Sequence, residues 1–310
     1  MSHITVLLEE AVDALQPKAG GVYIDGTFGG GGHSSLILQR TDGKATLFGI
    51  DADPDAIARA EALRQGEFGA GLIPVHDNFR NLARIAEELA ISPVDGILLD
   101  LGLSSFQLDQ AERGFAFRFD GPLDMRFDNT RGISAADLVN TADERELADI
   151  IWRYGEEKQS RRIARTIVDR RGTAPFSSTA DLAGVVEQAV GGRRGKPIHP
   201  ATRTFQALRI AVNEELAALE DVLAAAVDAL APGGRMVVIS FHSLEDRIVK
   251  QFVARESATC ICPPDVPVCV CDHSPRLKRI GKPVKPSAHE QNINARSRSA
   301  IMRVAERLPD

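Results

Sequence analysis

In VYIDGTFGGGGHSS, residues 22 to 35, an acidic residue is followed within four positions by a run of glycines and then by a histidine. Peptide groups without Cβ atoms let a ligand approach the backbone, and N–H groups at a helix start can bind it. The spacing excludes two familiar ligands. A dinucleotide loop requires Gly-x-Gly-x-x-Gly, and counting from Gly29 and Gly31 the third glycine falls on Ser34. A phosphate-gripping loop ends in Gly-Lys-Ser/Thr, whereas these glycines run into His33. Further acids stand where later strands should end: Asp51 in GIDADP, Asp77 with Phe79 in VHDNF, and Asp100 in ILLDLG. Asp51, about 20 residues past the glycines, is where a carboxylate accepts ribose hydroxyls, and Phe79 offers an aromatic face to an adenine. Carboxylates at four successive tips attract a cation and repel a pyrophosphate. A purely structural glycine turn is the competing reading of the run alone.

These residues need strands to carry them. GVYIDG, TLFGID, LIPVHD and DGILLDLG are short apolar runs separated by helical segments, the pattern of a parallel sheet covered on both faces. After DLGLSS the alternation stops, and from about Asp109 to Asn213 only helical signals and loops occur. Thr141-Ala-Asp-Glu144 and Ser178-Thr-Ala-Asp181 read there as capping boxes. A long helix, NEELAALEDVLAAAVDAL, with Pro-Gly-Gly at 232 to 234 as its stop, returns the chain to strands RMVVISF and SAIMRVAE. The expectation is a doubly wound α/β core of residues 1–108 and 213–310, interrupted by an all-helical insert, 109–212.

Asp25 followed by Gly29 and Gly31 resembles the acidic-x-Gly-x-Gly-x-Gly loop of class I (Rossmann-like) S-adenosylmethionine methyltransferases, with Thr27 at the first glycine position. DLGLSSFQLD at 100 to 109 makes the resemblance specific. Together with HITVLLEEAV, DGTFGGGGHS, DGPLDMRFD, TRTFQALRIAVNEEL, ISFHSLEDRIVK and ARSRSAIMRVAE it is similar to the RsmH (MraW) family, from His3 to about Glu306. The resemblance implies S-adenosylmethionine-dependent methylation of N4 of a cytidine in the decoding region of small-subunit ribosomal RNA. It implies cofactor contacts at Gly31, Gly32, His33, Asp51, Phe79, Asp100 and Gln107, with His33 capping the carboxypropyl end over bare glycine backbone. Many amino methyltransferases carry an acid or amide followed by Pro-Pro-aromatic after the fourth strand. Here Asp100-Leu-Gly-Leu stands instead. Asp100 is then assigned to the cofactor, leaving Asp109 or His242 beside Ser243 to accept a proton from N4; a hydrogen-bonded strand-end residue is the plainer reading of His242.

Charge is unevenly spread. The net charge is −6, yet Lys158 to Arg209 holds eleven Lys or Arg against three acids, and Arg276 to Arg303 eight against one. Two basic blocks on an acidic chain suit a polyanionic partner, and solvated helical faces are the alternative. GFAFRFDGPLDMRFD, 114 to 128, interleaves phenylalanines with Arg118 and Arg126 as a base-stacking flap would, or forms a half-buried hairpin. Arg193, Arg194, Lys196 and Arg203 in GGRRGKPIHPATRTF are candidates for gripping RNA backbone, the partner being free ribosomal RNA or an assembled small subunit; a flexible solvated loop competes. All four cysteines, Cys260, Cys262, Cys269 and Cys271, lie in CICPPDVPVCVC. Such clustering points to a structural zinc or to reduced thiols rather than to disulfides. The first residues lack the features of a signal peptide and no apolar run reaches bilayer length, so a cytoplasmic protein with no membrane partner is expected. Whether it dimerises stays open. Rivals are an NAD-dependent oxidoreductase and a non-catalytic RNA-binding assembly factor.

Overall fold

The structure, a computed structural model, describes residues 4–91, 93–193, 195, 198–263 and 268–309. The chain divides into two compact units: residues 1–102 with 216–310, and residues 103–215.

The first unit is built on seven strands in the order β3-β2-β1-β4-β5-β7-β6. They are β1 (Val22–Asp25), β2 (Thr46–Asp51), β3 (Leu72–His76), β4 (Val94–Asp100), β5 (Leu230–Ser240), β6 (Leu277–Val284) and β7 (Ile301–Arg307). β1 to β5 run parallel, and β7 lies antiparallel to both β5 and β6. Successive strand residues point to opposite faces. On β4, Ile97 and Leu99 enter one apolar cluster and Leu98 the other; on β5, Met236 and Val238 divide in the same way from Val237 and Ile239. Both faces are covered, which is why these strands read as unbroken apolar runs rather than alternating ones. Leu82–Glu88, Glu215–Ala229 and Ser243–Glu256 contribute to the cluster on one face, Leu8–Leu15 and Gly32–Arg40 to that on the other. The doubly wound, Rossmann-like core interrupted by a helical unit is thus present as expected. Because strand order reverses between β1 and β4, the carboxyl ends of these two strands flank the crevice in which open α/β sheets bind ligands.

Three local readings change. Pro232-Gly233-Gly234 does not stop the preceding helix. That helix ends at Ala229, and the Pro-Gly-Gly forms a bulge inside β5, where pairing jumps from Leu230 opposite Val94 to Arg235 opposite Gly96. β6 was not foreseen: LKRIGKPV is an edge strand that exposes most of its residues, Lys278 and Lys282 among them, so it lacks an apolar period. The helix Glu144–Gly155 is capped by Asp143, whose side chain accepts from the N–H of Glu146, while the Thr141 hydroxyl bonds back to Asp137 within the preceding helix.

The second unit has its own apolar core, drawn from helices Ala135–Thr141, Glu144–Gly155, Ser160–Arg171, Thr179–Ala189 and Thr202–Asn213. Gly155 permits one close crossing, since a Cβ there would lie 2.6 Å from the carbonyl oxygen of Arg203. Ser178 caps Thr179–Ala189 by accepting from the N–H of Asp181, one half of the capping box its sequence suggested, while the Asp181 side chain accepts from Arg170. Asn213 accepts from the N–H of Phe127 and donates to the carbonyl of Met125, both at 2.7 Å, and so ties the segment 125–127 to the last helix. Among the described residues no helix is long and apolar enough to cross a membrane.

A candidate cofactor site at the strand tips

β1 delivers Asp25 almost completely buried, and its carboxylate holds the glycine loop in place. Ser34 Oγ donates to Oδ2 at 2.6 Å and the N–H of Thr27 donates to Oδ1 at 3.1 Å. The Thr27 hydroxyl accepts in turn from the N–H of Asp100, at 2.6 Å, joining the ends of β1 and β4. Thr27 and Ser34 therefore do work that the sequence motif did not assign to them. The only signal was the departure of Thr27 from glycine.

The glycines answer two demands. Gly29 and Gly31 both adopt positive φ, 54° and 76°, as the sharp turn into the helix Gly32–Arg40 requires. The missing Cβ atoms of Gly31 and Gly32 face protein: they would lie 2.7 Å from the Phe28 ring and 2.0 Å from Thr5 Oγ1. Close packing therefore accounts for these two glycines, and the expectation that they are bare for the ligand's sake is corrected. What remains available to a ligand is the backbone N–H edge of the helix's first turn, where His33 also sits, buried.

At the end of β2, Asp51 accepts from the N–H of Gly29 at 2.7 Å and from the N–H of Asp53 at 2.9 Å. Each oxygen keeps a further lone pair for a ligand donor. Burial raises its carboxyl to about 6. Asp53, itself buried and not singled out in the sequence, caps Pro54–Leu63 through the N–H of Asp55, with proline at the first helical position. After β3, Asp77 accepts from Asn78 N–H and Asn81 Nδ2 and pairs with Arg84, so its carboxylate organises its own turn. Phe79, half-buried, opens the short 3-10 turn Phe79–Asn81.

Asp100 ends β4 at the switch point. Its Oδ1 is buried and has no hydrogen-bond partner among the described residues; Oδ2 stands 3.8 Å from His33 Nδ1. Burial first, and then the charges of Asp25 and Glu245, hold its carboxyl well above the ordinary range. Burial raises Asp25 as well, against the hydrogen bonds from Ser34 and Thr27. Carboxyl groups that resist ionisation for want of solvent and because of each other form a site that a cation would stabilise. Glu245, which the sequence did not single out, accepts from the N–H groups of Phe241 and His242. His242 itself caps Ser243–Glu256, its Nδ1 accepting from the N–H of Glu245.

The other expected residues, the four cysteines aside, belong to the second unit. Gln107 closes a capping box with Ser104. Asp109 pairs with Arg118 at 3.1 Å, and the Arg118 guanidinium lies 4.7 Å from the Phe119 ring centroid. The segment 114–128 is irregular rather than a hairpin. Phe115 and Phe127 stack at 5.7 Å, Phe117 packs edge-on against Phe205, and Phe119 stays exposed. Arg126 is bound to Asp124 and to the carbonyls of Arg131 and Gly132. Arg203 is exposed and donates to the Glu156 carbonyl; Arg193 is exposed, and Arg194 and Lys196 lie outside the described residues. Arg161 and Arg162, not singled out in the sequence, are exposed on the helix Ser160–Arg171. The four cysteines meet in the connection between Ser243–Glu256 and β6.

Comparison with known proteins bears on both units. A family model described as the MraW methylase family matches residues 1–308. A protein of Thermomicrobium roseum named ribosomal RNA small subunit methyltransferase H is 56% identical over 308 residues, covering 99% of this chain and 94% of its own length. Proteins of the same name from Dehalococcoides mccartyi and Heliobacterium mobile are 56% and 52% identical, over 99% of this chain and 86% and 99% of theirs.

Proposed function

Since the chain belongs to the MraW methylase family, we propose that it methylates small-subunit ribosomal RNA with S-adenosylmethionine, at the exocyclic N4 of a cytidine in the decoding region. The observation that carries the reading is the group of strand-tip carboxyls, in which Asp100 Oδ1 is buried beside Asp25 without a hydrogen-bond partner among the described residues. Such a site fits a sulfonium and disfavours a dinucleotide pyrophosphate. When bound, the donor supplies an electrophilic methyl group.

The chain's own residues do the rest. Asp51 accepts the ribose hydroxyls with its remaining lone pairs, and Phe79 offers the adenine an apolar face. Asp100 balances the positive charge, and His33 with the N–H of Gly32 receives the carboxylate end, the N–H of Gly31 being held by the Phe28 carbonyl at 2.7 Å. In the second unit, Gln107 is the family's further donor contact, and exposed Arg118, Arg193 and Arg203 hold RNA phosphates, with Arg194 and Lys196 proposed for the same role. The N4 lone pair is delocalised into the ring, so holding the amine in line with the methyl group supplies much of the rate. Asp109 and His242 are the proposed acceptors of the departing N4 proton. The acceptor is the one whose replacement (Asp109→Asn or His242→Gln) lowers kcat while donor affinity holds.

Mapping 4-methylcytidine in small-subunit ribosomal RNA tests the reading. Cells lacking the gene should lose one such modification and regain it when the gene is restored. Unchanged modification, or tighter binding of NAD than of S-adenosylmethionine by the purified protein, would overturn it.

A further inference from the structure

Cys260-x-Cys262 and Cys269-x-Cys271 form two short arms that face each other. The N–H of Ile261 donates to Cys271 Sγ and the N–H of Val270 to Cys262 Sγ, each at 3.4 Å, so the arms are bridged in both directions. A third donor, the N–H of Cys262, reaches Cys260 Sγ at 3.4 Å. Alternation along each arm turns both cysteines to one side and the residue between them to the other. Ile261 and Val270 are indeed exposed, and so is Val268. These three apolar side chains add nothing to a core, so among the described residues of the segment apolar burial is not what holds the two arms together.

The sulfur geometry shows what could. Cys262 and Cys269 are 4.0 Å apart, Cys269 and Cys271 3.5 Å, and Cys260 and Cys271 3.9 Å, with all four Sγ atoms within 4.8 Å of one another. Zinc–sulfur bonds of about 2.3 Å place the corners of a regular tetrahedron about 3.8 Å apart. Disulfides need sulfurs at about 2.0 Å, and all four cysteines are free. A binuclear iron–sulfur cluster would set its two cysteine pairs apart across two metal ions, whereas here sulfurs of opposite arms approach to 3.9 and 4.0 Å, within 0.5 Å of the 3.5 Å between Cys269 and Cys271 on one arm. N–H donors aimed at sulfur also favour thiolate over thiol, as in the outer shell of a thiolate-bound metal.

We propose that Cys260, Cys262, Cys269 and Cys271 bind one zinc ion as tetrahedral thiolates. The site is structural, because four protein ligands leave no open position for chemistry. It fastens the connection from Ser243–Glu256 to the edge strand β6, where Arg276 is already anchored by Glu256 at 2.8 Å. Binding deprotonates each thiol still protonated, and those protons pass to solvent, so affinity rises with pH.

The proposal is tested on the full chain, grown with zinc and desalted anaerobically with a reductant. Elemental analysis should find one zinc per chain. Cobalt(II) added to metal-stripped protein should give the absorption bands of a tetrahedral tetrathiolate, and zinc should bleach them. Cys260→Ser combined with Cys269→Ser should remove both signals while S-adenosylmethionine binding reports a folded core. Should that variant fail to fold, the cobalt spectrum of the unsubstituted chain decides alone. Iron in place of zinc, disulfides under these conditions, or an octahedral cobalt spectrum would overturn the proposal.

Discussion

Asp51 ionises where a solution titration can follow it. Burial lifts its carboxyl from 3.8 to about 6, so the charged form is the unfavourable one in the folded protein. The stability tied to this group is complete below the unfolded value and is lost as pH rises through about 6. Donor binding has the opposite sign, since the carboxylate is the better acceptor for ribose hydroxyls. The contribution of Asp51 to S-adenosylmethionine affinity should be level above about pH 7 and weaken below about pH 6, approaching tenfold per pH unit, with proton release on binding. Calorimetric titration across this range checks it, and Asp51→Asn should bind weakly and lose the step near pH 6. Asp100→Asn separates function from stability. A neutral group of the same shape has no charge to desolvate, so the melting temperature of the free protein should hold or rise, while donor affinity falls by at least about tenfold, as for a lost charged contact. Tight binding by that variant would refute the role given to Asp100. The position of these acids was legible because each follows an apolar run. What Asp25 does was not, because it depends on Ser34 and Thr27 reaching it in space.

Elements were legible in proportion to their burial. The strands β1 to β5 are framed by apolar residues on both faces, and composition reveals such strands. The exposed, Lys-bearing edge strand β6 carries no such signal. The same contrast governs the glycine turn. Sequence shows that Gly31 is glycine, but only packing shows that a methyl group there would meet the Phe28 ring at 2.7 Å. Gly43 is a natural control: its φ of 68° resembles the 76° of Gly31, yet nothing lies within 4 Å of its missing Cβ. Gly43→Ala should therefore cost about 1–2 kcal/mol of unfolding free energy, the backbone contribution alone. Gly31→Ala should cost clearly more, because it adds the contact with Phe28 inside a close-packed core. Denaturant midpoints of the two variants decide, and equal shifts would mean that the turn tolerates a side chain.

On the scale of the whole chain, net charge is a poor guide to where a polyanion could bind, and so is a count of basic residues. Within the block from Lys158 to Arg209, Arg170 is bound to Asp181, Arg171 donates to the carbonyls of Val139 and Ala142, and Arg209 is held by Glu215. These cations hold the helical unit together. Lys158, Arg161, Arg162, Arg165, Arg193 and Arg203 are exposed, and no sequence pattern separates the two kinds, since pairing is set by distant residues. The distinction predicts different behaviour for two arginines that the sequence treated alike. Arg126, bonded to Asp124 and two carbonyls, is structural. Arg126→Ala should destabilise the protein by about 1–3 kcal/mol and leave the salt dependence of RNA affinity unchanged. Arg193→Ala should leave the melting temperature unchanged. It should also reduce the slope of log affinity against log salt by about 0.7, the loss of one counterion-releasing phosphate contact on single-stranded RNA. Binding titrations of a small-subunit RNA fragment at several salt concentrations measure both. An unchanged slope for Arg193→Ala would remove this residue from the RNA-binding face, and a reduced slope for Arg126→Ala would show that its bond to Asp124 opens when RNA binds.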